Sequence, residues 1–355
     1  MHEFNKLYQR GINLGGWLSQ YGHIENIGPA HFDGFITEKD IAQIASFGLD
    51  HIRLPLDYMF FEGDHRPGQY DEDALAYVDR CLDWCDRHNL KVIIDFHHAP
   101  GYSFGTQAEN SLLDDSALQD RFSDMWMMLT KRYAHIGDRL TFELLNEVMD
   151  TDSTRWNALA ARLTAEIRNI DKERFIMIGS NEYGSIRWLE KLDIIPNDDR
   201  IVYAFHFYEP HLFTHQLANW IDYCTDFDRA VKYPSVIPGI AEYMEKFPQH
   251  ADVRDVKEYD GTQMGREHMR GLLHPIFDFV ERTGKPLHCS EFGVIEFADM
   301  ESRLNWHRDF YSILEENHVG WSVWNYKLMN FSFVDEDSKV VAKELFELTA
   351  AGTKG

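Results

Sequence analysis

Short runs of β-branched, aromatic and other apolar residues recur along the chain, separated by segments whose apolar positions return at helical spacing. Runs of the first kind predict strands at residues 11–14, 51–54, 91–96, 140–145, 175–179, 201–207, 287–290 and 321–324. Segments of the second kind predict helices at 37–47, 71–88, 116–135, 153–170, 301–317 and 339–350. Strands alternating with helices imply right-handed crossovers. Eight such units close into an α/β fold, a (β/α)8 TIM barrel, whose active site lies at the C-terminal ends of the strands.

Polar residues gather where that architecture needs them. The second predicted strand ends near Arg53, the third in Asp95-Phe96-His97-His98, and the fourth in Asn146-Glu147. The sixth ends in His206-Phe207-Tyr208, the seventh in Ser290-Glu291 and the eighth in Trp324-Asn325. The rhythm breaks once, between the sixth and seventh strands, where the spacing is about twice that of a plain strand–helix unit. The segment from about 210 to 270 is rich in aromatics and charges, and it predicts a partly helical insertion over the barrel mouth, with Trp220 as an aromatic that reaches substrate. No Pro-, Gly- or Ser-rich stretch divides the chain, so residues 1–355 are read as a single catalytic domain.

Composition narrows the partners. A formal net charge of −24 repels phosphate, which argues against nucleic acid and anionic membranes and leaves a neutral substrate as the natural fit. Aromatic residues make up 14% of the chain, and those not needed for the core suit stacking on sugar rings. Residues 1–10 lack a signal pattern and no apolar run is long enough to span a bilayer, so the chain as written reads as cytoplasmic. A chain whose signal segment had been removed, and which is secreted, would read the same way. The four cysteines, at 81, 85, 224 and 289, have neither metal-site nor disulfide-framework spacing and are expected as buried thiols. A monomer is expected.

Two lone carboxylic acids end strands of one barrel, Glu147 after Leu144-Leu145-Asn146 and Glu291 within Cys289-Ser290-Glu291-Phe292-Gly293. A single glutamate in such a place more often caps a helix or pairs with a base. Two at matching places, with His and Tyr at neighbouring strand ends, point to glycoside hydrolysis, in which one carboxyl protonates the leaving oxygen and the other attacks the anomeric carbon. Glu147 is read as acid/base and Glu291 as nucleophile. Glu143 shares the parity of Glu147 one pleat deeper and is read as a hydrogen-bonding interior residue. His97 and His98 also invite a metal reading, but the fifth strand offers no further ligand and the eighth ends in Trp324, so no metal is expected. His97 is assigned to substrate hydroxyls; His98 is expected to point the other way by strand alternation and to act as support. Arg53 is expected to grip Glu291 bidentately, Tyr208 to donate to the same carboxylate, His206 to sit beside the acid/base, and Trp324 to stack beneath the sugar. No dinucleotide, phosphate-loop, zinc-protease or nucleophile-elbow signature is present, so no cofactor is expected.

The segments Arg10-Gly11-Ile12-Asn13-Leu14-Gly15-Gly16-Trp17, His51-Ile52-Arg53-Leu54-Pro55, Asp95-Phe96-His97-His98-Ala99-Pro100-Gly101, Leu144-Leu145-Asn146-Glu147, His206-Phe207-Tyr208 and Ser290-Glu291-Phe292-Gly293 together resemble glycoside hydrolase family 5, the cellulase family of the retaining clan A. The resemblance spans essentially the whole chain. It implies endo-acting cleavage of β-1,4-glucosidic bonds in cellulose-like and mixed-linkage glucans, with Glu147 and Glu291 catalytic and Arg53, His97, Asn146, His206, Tyr208 and Trp324 around the cleaved sugar. Val148 stands where the family usually has proline, and no appended carbohydrate-binding module is expected. Rivals within the class are a β-mannanase, a β-1,3-glucanase and an exo-β-glycosidase, because one altered loop changes linkage or blocks a subsite without touching either glutamate. Outside it stands a non-catalytic sugar-binding barrel.

Overall fold

The computed structural model describes residues 1–21, 27–105 and 109–352. Among these, eight parallel strands close into one barrel in chain order: Arg10–Asn13, His51–Asp57, Lys91–His98, Leu140–Glu143, Phe175–Gly179, Ile201–Phe207, Leu287–Phe292 and Gly320–Val323. Every expected strand is present. The second, third and seventh run farther toward the mouth than their apolar runs indicate, taking in Asp57, His97 and Glu291, which are polar yet buried.

The outer helices bury one face against the strands and are stopped by local chemistry. Asp71, Asp115, Asp152 and Asp299 each accept backbone N–H groups at the start of helices Glu72–Arg87, Ser116–Tyr133, Ser153–Arg168 and Met300–Glu316. Thr37 and Asp40 form a capping box on helix Glu38–Ser46. The fifth crossover carries no long helix among the described residues; a short turn at Asn181–Gly184 and a 3-10 segment at Ile186–Lys191 make the return. All four cysteines are buried and unbridged among the described residues.

The floor of the barrel is closed by the short helix Glu3–Leu7. Phe4 lies face to face with Tyr8 at 4.6 Å and edge-on to Phe175 and His288. After the sixth strand come short helices at His211–Thr214, Asp222–Phe227, Ile240–Lys246 and Arg254–Lys257, then Arg266–Leu272 and His274–Thr283. This insertion leans on helix Met300–Glu316, through Tyr233 N–H to Ser302 Oγ (3.0 Å) and Tyr233 OH to Asp309 (2.9 Å). Glu209 anchors its base, accepting from Tyr259 OH at 2.9 Å while its carbonyl receives the Trp306 indole N–H at 3.0 Å. His215 and Trp220 bring it to the mouth, where the His215 ring meets both Tyr208 and Trp220. No helix among the described residues is long and apolar enough to cross a membrane.

Candidate active site

Two bulges shape the mouth. On the seventh strand Cys289 pairs with Phe205 and Glu291 with His206, so Ser290 is an extra residue. Parity therefore breaks, and the side chains of Ser290 and Glu291 both enter the same buried network. On the third strand Phe96 pairs with Leu56 and His98 with Asp57, leaving His97 as the extra residue. The expectation that His98 points away from His97 fails for this reason. Both rings flank Phe104, His97 edge-on at 5.3 Å and His98 stacked at 4.9 Å, and His98 Nδ1 bonds Asp57 at 2.6 Å.

Arg53 has no exposed surface and lies beneath the carboxylates. Its Nη1 donates to Glu291 Oε1 at 2.6 Å and to Asn13 Oδ1 at 3.0 Å. Nη2 donates to Asn146 Oδ1 at 2.9 Å and lies 3.3 Å from Asp95. The two-pronged grip expected on Glu291 falls on Glu143 instead, with Nε to Oε2 at 2.6 Å and Nη2 to Oε1 at 3.2 Å. Glu291 is held by one prong, and its other oxygen accepts from Tyr208 OH at 3.2 Å.

Glu147 leaves the fourth strand with a φ of +45°, a left-handed conformation that a glutamate adopts only under constraint. The constraint is visible: Tyr102 OH donates to the carbonyls of Glu147 (2.5 Å) and Asn146 (3.1 Å). Burial pushes the Glu147 carboxyl up to about 8; Arg53 opposes the rise and Asp95 adds to it. His206 Nδ1 stands 3.0 Å from Glu147 Oε1 and its Nε2 stands 3.1 Å from Ser290 Oγ. Burial holds the His206 and His97 rings neutral by lowering both pKa values. His97 Nδ1 is tied to Asp95 at 2.5 Å, leaving Nε2 facing Glu291 at 3.8 Å. Asp95 itself is raised to about 6 by burial, against the pull of Arg53.

Trp324 follows the eighth strand across a cis peptide to Asn325, and its ring lies parallel to that of His97 at 5.7 Å. Gly15 is required beside it, since a Cβ there would run into the Trp324 ring. Asn325 fastens this corner, accepting from Gly15 N–H at 2.8 Å and donating to its carbonyl at 3.1 Å. Asn146 Nδ2 is buried with no partner among the described residues, a donor free for substrate. The structure thus gathers Glu147, Glu291, Arg53, His97, Asn146, His206, Tyr208 and Trp324, with His98 one ring farther along and Trp220 40% exposed at the insertion's edge.

Sequence reasoning missed Asp95, Asn13 and Tyr183 as contributors. Asp95 was visible two residues before His97, the parity of a side-chain partner. Tyr183 gave no signal: it is 46% exposed in a left-handed run, Glu182 at φ +52° and Tyr183 at +60°, within electrostatic reach of Glu147.

One donor atom each from Glu147, His206 and Glu291 lies within 4.8 Å of the other two, a grouping that offers a divalent cation three ligands. The hydrogen bond between Glu147 and His206 and the interior ties of Glu291 account for the same spacing without one.

A closed barrel with two carboxyls facing each other at its mouth defines a glycosidase of the β/α-barrel class. Residues 18–330 match the family Cellulase (glycosyl hydrolase family 5), and the chain belongs to that family. It is 46% identical over 343 residues to Endoglucanase C of Acetivibrio thermocellus, covering 97% of this chain and 98% of the relative. Cellodextrinase A of Ruminococcus flavefaciens is 32% identical, with 87% and 83% covered. The crystal structure of endoglucanase Cel5A from the hyperthermophilic Thermotoga maritima superimposes with a TM-score of 0.77 at 25% identity, covering 97% of this chain and 98% of that one.

Proposed function

We propose that this protein is a retaining endo-β-1,4-glucanase that cleaves cellulose-like and mixed-linkage β-glucans by double displacement. The observation that carries the chemistry is the closeness of the two carboxyls: an oxygen of Glu147 lies within 4.8 Å of one of Glu291, which supports the closely set pair of a retaining enzyme, roughly 5 Å apart, over the wider pair of an inverting one. Endo-β-1,4 specificity is supported by the likeness to Endoglucanase C over nearly the full length of both chains.

In the first step Glu291 Oε2, the oxygen that Tyr208 touches, attacks the anomeric carbon while Glu147 gives its proton to the departing glycosidic oxygen. The second step reverses the roles: Glu147 takes a proton from water, and the water oxygen displaces Glu291 with net retention. A carboxyl pushed up to about 8 is still protonated near neutral pH, as the first step requires. Arg53 and Tyr208 orient Glu291 and offset its charge. The unpartnered Asn146 Nδ2 donates to the hydroxyl beside the reacting carbon, His97 Nε2 accepts from a neighbouring hydroxyl, and Trp324 walls the sugar face. His98, held by Asp57, extends the polar wall, and Trp220 stacks a more distant sugar. The insertion belongs to the same catalytic domain, a reading supported by its apolar side chains joining the barrel's core cluster. One chain supplies the whole site, which supports action as a monomer.

The test is digestion of carboxymethylcellulose, barley mixed-linkage glucan, laminarin and glucomannan, with products separated by size and the assay repeated on Glu291→Gln. A ladder of oligosaccharides from the first two, absent with the variant, is expected. Monosaccharide alone, or products only from laminarin or mannan, would overturn the linkage and endo assignments and leave the barrel chemistry standing.

A further inference from the structure

Ser290, turned inward by the bulge, sits between a carboxylate and an imidazole. Its Oγ is 2.9 Å from Glu143 Oε1 and 3.1 Å from His206 Nε2. Glu143 is gripped by Arg53 on both oxygens. The other nitrogen of His206 is 3.0 Å from Glu147 Oε1. A continuous chain of contacts therefore runs from the acid/base through His206, Ser290, Glu143 and Arg53 to Glu291.

The directions along this chain are set by proton counting. A hydroxyl has one proton to donate. Glu143, engaged as a carboxylate on a guanidinium, offers none, so Ser290 donates to Glu143 and must accept from His206 Nε2–H. Burial keeps His206 neutral, so its Nδ1 then carries a lone pair. The hydrogen in the contact with Glu147 must come from the carboxyl itself. We infer that Ser290 and Glu143 are positioning residues that fix His206 in the Nε2–H tautomer, so that the ring accepts at Glu147 and the acid keeps its proton until the leaving oxygen arrives.

The opposite arrangement has the opposite effect. Were Ser290 to donate to His206, Nδ1–H would point at Glu147 and favour its ionised form, which cannot act as an acid. In the second half of the reaction the same Nδ1 lone pair makes the Glu147 carboxylate a stronger base toward water. No proton travels along the chain: Glu147 loses one to the glycosidic oxygen and regains one from water. The inference rests on the reading of Glu147 as acid/base.

Other charged and titratable groups also face Glu147: Arg53 and Asp95 from the second and third strands, Tyr102 and Tyr183 from loops, and Tyr208 and Glu291 from the sixth and seventh strand ends. Ser290→Ala removes none of them, so its effect reports the relay. The experiment measures kcat/KM against pH for the full chain, Ser290→Ala and Glu143→Gln, on a cello-oligosaccharide and on dinitrophenyl cellobioside, whose leaving group needs no proton. The alkaline limb on the oligosaccharide is expected to fall by about one pH unit in Ser290→Ala. It falls in Glu143→Gln as well, where an amide N–H reverses the serine hydroxyl. The dinitrophenyl substrate shows no matching shift. An unmoved alkaline limb, with both substrates losing rate in parallel, overturns the inference and leaves the two residues a packing role.

Nitrogen-15 spectra of the unsubstituted protein, with His206 assigned by its loss in His206→Asn, give a second answer that needs no relay variant to fold. Protonated Nε2 with bare Nδ1 is expected, and the reverse overturns the inference. Glu147→Gln separates the two levels of the argument. Equal losses on both substrates in that variant sink the acid assignment itself rather than the relay.

Discussion

Glu147 carries two costs at once, a left-handed backbone and a carboxyl held protonated far above its ordinary range. The second has a thermodynamic consequence with a definite sign. Because the folded carboxyl binds its proton up to about 8 and the unfolded one only to about 4.5, the folded state holds the extra proton between those values. Stability contributed by this group is therefore full below the lower pKa and is lost as pH rises toward the upper one. Glu147→Gln is expected to raise the melting temperature by about 2–4 °C at pH 8 and by much less at pH 4. Calorimetry at the two pH values checks it, and equal shifts would contradict the raised pKa. At Arg53 the argument is geometric. Arg53→Lys removes the fork on Glu143 and leaves three N–H donors where five hydrogen bonds were made, so kcat is expected to drop by about 100-fold or more, even with a leaving group that needs no protonation. That one arginine would serve Glu291 could be read from the sequence, since both sit at ends of strands. That its fork would go to Glu143 could not, because the choice depends on depth within the barrel, which strand parity leaves open.

At the scale of elements, the strands were legible because each is an apolar run buried on both faces, and the long helices because their apolar stripes and Asp caps are local signals. The two bulges were not. A bulge is one residue out of register with a neighbouring strand far away in sequence, so nothing in Asp95-Phe96-His97-His98 or Cys289-Ser290-Glu291 declares it. These two places also hold His98, whose direction was misassigned, and Ser290, whose part in the network was overlooked. The insertion was legible from spacing, but its lean against helix Met300–Glu316 depends on partners such as Asp309 that lie 76 residues from Tyr233. Its edge at the mouth carries a prediction. Trp220 has much exposed ring surface and touches His215 rather than either catalytic carboxyl. Trp220→Ala is therefore expected to raise KM for long oligosaccharides by about 5- to 10-fold with kcat nearly unchanged, the pattern of lost uniform binding. A loss confined to kcat would place the ring at the reacting bond instead.

Across the whole molecule, the two ends of the barrel have separate duties. The mouth gathers charge, polar strain and a neutral acid, while the floor is a largely apolar plug in which Phe4 packs against Tyr8, Phe175 and His288. Removing Phe4 leaves a cavity that a closed barrel cannot collapse to fill, so Phe4→Ala is expected to destabilise the fold by about 3–5 kcal/mol. Its kcat/KM, measured well below the melting temperature, should match the parent, because the side chain makes none of the contacts that hold Glu147 or Glu291. Phe4 packs with Tyr8, Phe175 and His288, whereas Glu147 is held by Tyr102 and His206. The destabilisation from Phe4→Ala and the stabilisation from Glu147→Gln at pH 8 should therefore add within about 0.5 kcal/mol in the double variant. A larger coupling would mean that the strain at Glu147 is held in place by the strands as a unit rather than by Tyr102 and its immediate neighbours, and the floor would then have to be counted as part of the catalytic apparatus.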